Sequence, residues 1–223
     1  MNHRKVFIAL SMLLLIGGTS AAQKFQFTLM GGYQFGATVD ETTQMEGVFT
    51  WNEALGISGS GNFGVVFDMR LLPKMKLELS WDRQTTQLNL HEGLINTPPD
   101  QTSDERPVTK LSDLNVDYYL VGLIYDWSQT NLKPFIGASV GMVRMMPKEV
   151  YRSESRFTFA PIVGLQLYAS SLFAFRAQAR FMIGNVPAGE LFSSTADESF
   201  RYEHHKDTFM IQYQIGGGVV LSF

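Results

Sequence analysis

An all-β fold is predicted: an eight-stranded antiparallel up-and-down barrel that crosses a membrane, with short turns at one end and longer loops at the other. Three observations predict it. Long stretches alternate apolar residues with polar or small ones, the period of a strand whose two faces meet different surroundings. The connections between these stretches alternate long and short. Charged residues make up 17% of the chain, below the roughly 25% of soluble domains, while Gly and aromatics are frequent.

The alternation is clearest in the last seventeen residues, Asp207 to Phe223. Phe209, Ile211, Tyr213, Ile215, Gly217, Val219, Leu221 and Phe223 share one parity. Met210, Gln212, Gln214, Gly216, Gly218, Val220 and Ser222 share the other. The stretch is long for a soluble strand, where about 5–6 residues is usual. It suits a bilayer crossing, which takes about 9–11 tilted residues.

Residues 1–22 read as a secretory signal peptide, and 23–223 as one barrel domain. Arg4 and Lys5 form a positive head, Val6 to Ile16 an apolar core too short to span as a helix, and Gly17 to Ala22 a small-residue tail. Nothing after residue 22 approaches an apolar helix of spanning length, so a membrane crossing must be made by strands closed into a barrel.

The first strand is expected at about Gln23–Ala37, followed by a polar loop from Thr38 to Gly61 with a short hairpin extension. The second (Asn62–Leu71) and third (Met75–Gln87) flank a tight turn at Leu72-Pro73-Lys74. The longest loop, Leu88–Ser112, carries Pro98, Pro99 and Pro107. The fourth strand, Asp113–Trp127, is apolar on both faces; Asn115 and Asp117 are placed inward, because the other parity would put them in lipid. The fifth (Lys133–Met145), sixth (Arg156–Tyr168) and seventh (Leu172–Ile183) strands follow, with turns at Ser128–Leu132 and Ala169-Ser170-Ser171. A polar loop, Gly184–Lys206, leads to the closing strand. The even strand number and alternating connection lengths fit a barrel with short periplasmic turns and longer extracellular loops.

Alternation does not say which face is inside. A soluble carrier of the lipocalin type would put its apolar face inward. Three features favour the membrane arrangement: long and numerous strands, aromatics near strand ends, and a balanced set of charges on the other parity. The expected lower girdle is Phe25, Phe27, Tyr125, Trp127, Phe135, Tyr168, Phe173 and Phe223. The upper is Trp81, Tyr118, Phe157, Phe159, Phe181 and Phe209. The inward charges are Asp68, Arg70, Lys76, Glu78, Asp82, Asp117, Arg176 and Arg180. Enclosed charges need partners, so this neutral set predicts a structural salt-bridged plug, joined by Gln166, Gln212 and Gln214.

Composition excludes other classes. The chain has no Cys, hence no disulfide framework, thiol catalysis or lipoprotein anchor. Net charge is −3, with no basic run to follow a phosphate backbone, so nucleic acid is not an expected partner. Glu203, His204 and His205, with Asp197, Ser193, Ser194 and Ser199 nearby, are the only clustered candidates for hydrolysis or metal binding. Two loop histidines are a weak metal signal, and nothing in the spacing aligns a nucleophile with a base. No catalytic residue, metal or cofactor is assigned, and the glycine pairs lie inside strands rather than in a phosphate-binding loop.

The segment LKPFIGASVGM, Leu132 to Met142, follows a Tyr-rich strand. It resembles the KPY-x-G-x-G-x-G stretch of the outer-membrane β-barrel domain family of Bacteroidota, which includes PorT-like proteins. Phe135 replaces the usual Tyr, and Leu221 stands where a second aromatic often sits. The whole pattern resembles small outer-membrane barrels of the OmpA-barrel, OmpX and OmpW kind. The resemblance implies location in the bacterial outer membrane after signal-peptide removal, with outer-membrane lipid as surroundings. It also implies a terminal Phe223 read by the barrel assembly machinery.

The expected function is a non-enzymatic integral outer-membrane barrel that anchors extracellular loops for a surface or secretion-complex protein partner. The alternatives are a narrow OmpW-like pore for small solutes and, more remotely, a rim-located lipid A-modifying enzyme. One scaffold hosts many such roles.

Overall fold

The computed structural model describes residues 25–46, 49–94, 108–127, 130–148, 153–186, 189–191, 202–204 and 208–223. The expected signal peptide lies outside the described residues. Among the described residues twelve strands are formed: β1 (Phe25–Gln34), β2 (Ala37–Glu46), β3 (Phe49–Ile57), β4 (Ser60–Leu72), β5 (Met75–Leu94), β6 (Val108–Asp126), β7 (Leu132–Pro147), β8 (Glu154–Tyr168), β9 (Phe173–Val186), β10 (Gly189–Leu191), β11 (Tyr202–His204) and β12 (Thr208–Ser222).

Eight of these close on themselves. The order β1-β4-β5-β6-β7-β8-β9-β12 returns to β1, every pair antiparallel. β1 and β12 zip from Gln26–Ser222 to Gln34–Gln214, and paired backbone hydrogen bonds between Phe25 and Phe223 finish the seam at 3.1 and 3.0 Å. Closure leaves no barrel edge unpaired, the condition for a strand protein to sit in hydrocarbon.

The outward parity is the apolar one. On β12, Phe209, Ile211, Tyr213, Ile215, Val219 and Leu221 are exposed, and Met210, Gln212, Gln214, Val220 and Ser222 are buried. The register stacks such residues into rows around the wall. One row runs Phe67, Leu79, Val121, Val140, Phe159; the next runs Val65, Trp81, Tyr119, Met142, Phe157. A soluble carrier would have the opposite arrangement.

Three differences from the sequence reading have physical causes. First, much of the expected Thr38–Gly61 and Leu88–Ser112 loops is strand. β2 and β3 form a hairpin, β3 adds to the top of β5, and β5 pairs with β6 as far as His91–Val108. β5 runs to Leu94, seven residues past its expected end at Gln87. Side-chain bonds onto Ser58 hold this extension: Thr86 Oγ1 donates to its carbonyl at 2.6 Å, and Asn89 Nδ2 to its hydroxyl at 2.6 Å. Residues 95–107 lie outside the described residues.

Second, β6 has the opposite parity to that expected. Leu114, Val116, Tyr118, Leu120, Ile124 and Asp126 are buried, whereas Tyr119, Val121, Leu123 and Tyr125 are exposed. Asp117 therefore belongs to the outer wall and not to the lumen, and Asn115 goes with it. Third, Phe135 and Tyr118 are buried inside the barrel rather than lying in an aromatic girdle. Tyr168 also points inward, where its hydroxyl accepts a 2.5 Å hydrogen bond from Gln26.

Candidate functional site: a filled lumen and a charged outer rim

The lumen is built in layers. Near the turn end, where the short connections lie, Phe135, Ile124 and Ile162 form a small apolar cluster. The Arg176 guanidinium lies 4.6 Å above the Phe135 ring centroid, a favourable geometry for a cation over an aromatic face. Gly164, on the neighbouring strand, makes room for that ring: a Cβ there would overlap Phe135 and the Ala177 carbonyl. Gly164→Ala is expected to destabilise the barrel by about 1–3 kcal/mol through overpacking. The urea midpoint of the detergent-folded protein measures it.

Above this cluster runs a continuous chain of ion pairs. Arg176 bonds Asp68 at 3.2 Å and Glu78 at 2.5 Å; Arg180 bonds Glu78 at 2.9 Å and Asp82 at 2.7 Å. Three carboxylates from β4 and β5 thus alternate with two guanidiniums from β9, across the lumen. Arg176 Nε also donates to Gln178 Oε1 at 2.7 Å, and Gln214 Nε2 to Asp82 Oδ1 at 3.2 Å. A second set lies closer to the turn end. Lys76 Nζ pairs with Asp126 at 3.1 Å and donates to Gln166 Oε1 at 3.1 Å; Gln166 in turn donates to Gln26 Oε1 at 3.3 Å. Enclosed charges persist only when neighbours stand in for water, and each of these has at least one oppositely charged partner.

The ion layer is roofed by amides. Tyr118 donates to Gln212 Oε1, Gln34 Nε2 donates to the same oxygen at 2.7 Å, and Gln84 Nε2 reaches the Ser58 carbonyl at 3.2 Å. Beyond them the extended end is packed with apolar side chains. Leu55, Ile57, Leu88, Leu90, Leu114, Val116, Val143, Met145, Met182 and Met210 form one buried cluster. The upper lumen is thus a hydrophobic core shared by the barrel and the β2–β3 hairpin.

The structure brings Asp68, Lys76, Glu78, Asp82, Arg176 and Arg180 together inside the barrel. Arg70 stands at the turn end, opposite Lys76 in register. Asp117 is on the outer wall. There Arg83 grips it from the adjacent strand with Nε and Nη2, both at 2.6 Å, and the Tyr119 hydroxyl reaches it at 3.4 Å. Asp126, missed by the sequence reading, supplies the fourth enclosed carboxylate; correct parity on β6 exchanges it for Asp117. Phe223 seals the β1–β12 seam, its ring 6.4 Å from that of Phe25.

Of the loop candidates, Glu203 and His204 lie in β11, paired in register with Glu190 and Gly189. His205, Asp197, Ser193, Ser194 and Ser199 lie outside the described residues.

No family model and no curated relative matches the chain. Solved structures do. The outer membrane protein OprG from Pseudomonas aeruginosa is similar at 12% identity, with a TM-score of 0.51, over 89% of this chain and 97% of that one. Neisserial surface protein A is similar at 10% identity, with a TM-score of 0.50, over 88% and 97%. At such identities the likeness is one of architecture. The chain has the fold of small outer-membrane β-barrels, a closed antiparallel eight-stranded wall with its apolar face outward.

Proposed function

We propose that this chain is a non-enzymatic integral protein of the bacterial outer membrane, closed to solutes. In this reading the barrel is a rigid anchor that presents its extended end to a protein partner. The observation that carries the reading is the filled lumen. Polar side chains bond one another through its middle, and an apolar core occupies its upper part. A hydrated path needs polar lining along its whole length, and the upper cluster supplies none. The apolar outer wall supports the membrane location, and the similarity of Leu132–Met142 to the Bacteroidota barrel domain supports a place in a larger secretion or motility assembly. Phe223, at the seam, is the residue the assembly machinery would read.

Bilayer recording on the folded protein tests closure. The expected trace is flat, with no unitary steps. Regular steps that change with Arg176→Gln would replace the anchor by a narrow pore. The mass profile of lipid A after expression tests the enzymatic alternative; it is expected to stay unchanged.

A further inference from the structure

The outer wall carries an uneven ring of charge at the top of its apolar band. In register, Phe63, Arg83, Asp117, Arg144 and Ser155 form one row directly above the row of Trp81, Tyr119, Met142 and Phe157. Arg83 is fixed twice. It is bound to Asp117, and its guanidinium lies 5.5 Å from the Trp81 ring centroid. Arg144 is on the exposed parity of β7, and among the described residues no carboxylate pairs with it. Two outward rows higher, past Thr85 and Asn115, Lys110 and Lys148 flank the single carboxylate of Asp113 at 2.7 and 3.9 Å, both cations about half exposed. Among the described residues, four cations thus face outward against two acids, Asp117 and Asp113, on β5, β6, β7 and the residue after it.

We propose that this face binds the phosphate groups of an anionic lipid headgroup, with Arg83, Arg144, Lys110 and Lys148 as the cations. The inference rests on the membrane reading above. The position selects the occupant. Trp81 and Tyr119 mark the level where aromatic rings meet the interface, so the next row is at headgroup depth. Arg presents a planar fork suited to phosphate oxygens. Asp117 is already satisfied by Arg83 and Tyr119, so its role is to hold Arg83 rather than to cancel the patch.

Native mass spectrometry of the detergent-folded protein tests this, with bis-phosphorylated lipid A, phosphatidylcholine and inorganic pyrophosphate as probes. The expected result is retention of the lipid A over phosphatidylcholine, reduced at least about fivefold by Arg144→Gln with Lys148→Gln. Lys133→Gln, at the opposite end of the barrel, should leave retention unchanged. Should the double variant fold poorly, Arg144→Gln alone is read the same way, since among the described residues that side chain has no ion-pair partner to strand. Equal retention by wild type and variant overturns the inference, as does retention of phosphatidylcholine as strong as that of lipid A. Pyrophosphate that displaces the lipid at equal concentration would show a free-anion site and also overturn it. A heat-modifiable gel shift separates the two levels. A folded barrel without selective retention defeats the headgroup site alone, whereas a protein that never folds into detergent or lipid defeats the membrane reading too.

Discussion

Glu78→Ala is expected to destabilise the folded barrel by about 3–5 kcal/mol, the usual effect of removing one partner from an enclosed ion pair. Both of its carboxylate oxygens are engaged, one by each guanidinium. Without it Arg176 and Arg180, side by side on β9, lose the carboxylate that bridges them and keep only Asp68 and Asp82 at the flanks. Asp68→Asn should cost far less, because among the described residues Asp68 Oδ1 has no hydrogen-bond partner and a single oxygen meets Arg176. Urea titration of the detergent-folded protein reads the contrast. Adding Arg176→Ala to Glu78→Ala should cost less than the sum of the two single changes, since the second removes a charge that the first left unpaired. Equal and additive effects would mean that the chain of ion pairs is not energetically connected.

Val121→Arg is the second large effect. Val121 lies in the middle of the outward apolar row, between Leu79 and Val140, and is exposed. In water an arginine at an exposed strand position is nearly neutral. At mid-depth on the lipid face of a barrel it is expected to cost about 2–4 kcal/mol. Folding into lipid vesicles should therefore fall sharply for Val121→Arg and hardly at all for an arginine at Ser155, in the charged row of the rim. Indifference at both positions would place the apolar face in contact with something other than hydrocarbon.

The architecture was legible in the sequence wherever the two faces differ in chemistry. β9 and β12 set Phe, Ile, Tyr and Ala against Arg, Gln and Met, and their facing follows directly. β6 hid its facing for a physical reason. Its upper half backs onto an apolar lumen core, so Leu114, Val116 and Tyr118 look no different from the residues facing lipid. The rule that keeps Asp117 out of hydrocarbon then misled, because Asp117 lies at the top of the band beside Arg83. The same inversion concealed Asp126 as the partner of Lys76. The β2–β3 hairpin was legible only as a polar stretch with a hairpin in it. Its Thr- and Glu-rich β2 lacks clean alternation, and its place is set by pairing with β5, a long-range contact that no local pattern carries. The ion-pair chain was legible as a balanced set of charges, though not in its order, since which carboxylate meets which guanidinium depends on strand register across the lumen.

The chain has no cysteine, so single cysteines can be placed along β12 from Phe209 to Phe223 without background. Labelling them in protein folded into lipid vesicles reads out at once whether the wall spans the membrane and whether the lumen is closed. Odd-numbered positions between Ile211 and Val219 are expected to react with a lipid-phase probe and resist a water-soluble maleimide, while Gln212 and Gln214, sealed in the lumen, resist both. Reaction of Ile211 and Tyr213 with the water-soluble reagent would contradict a membrane-spanning wall, and reaction of Gln212 and Gln214 with it would contradict a closed lumen.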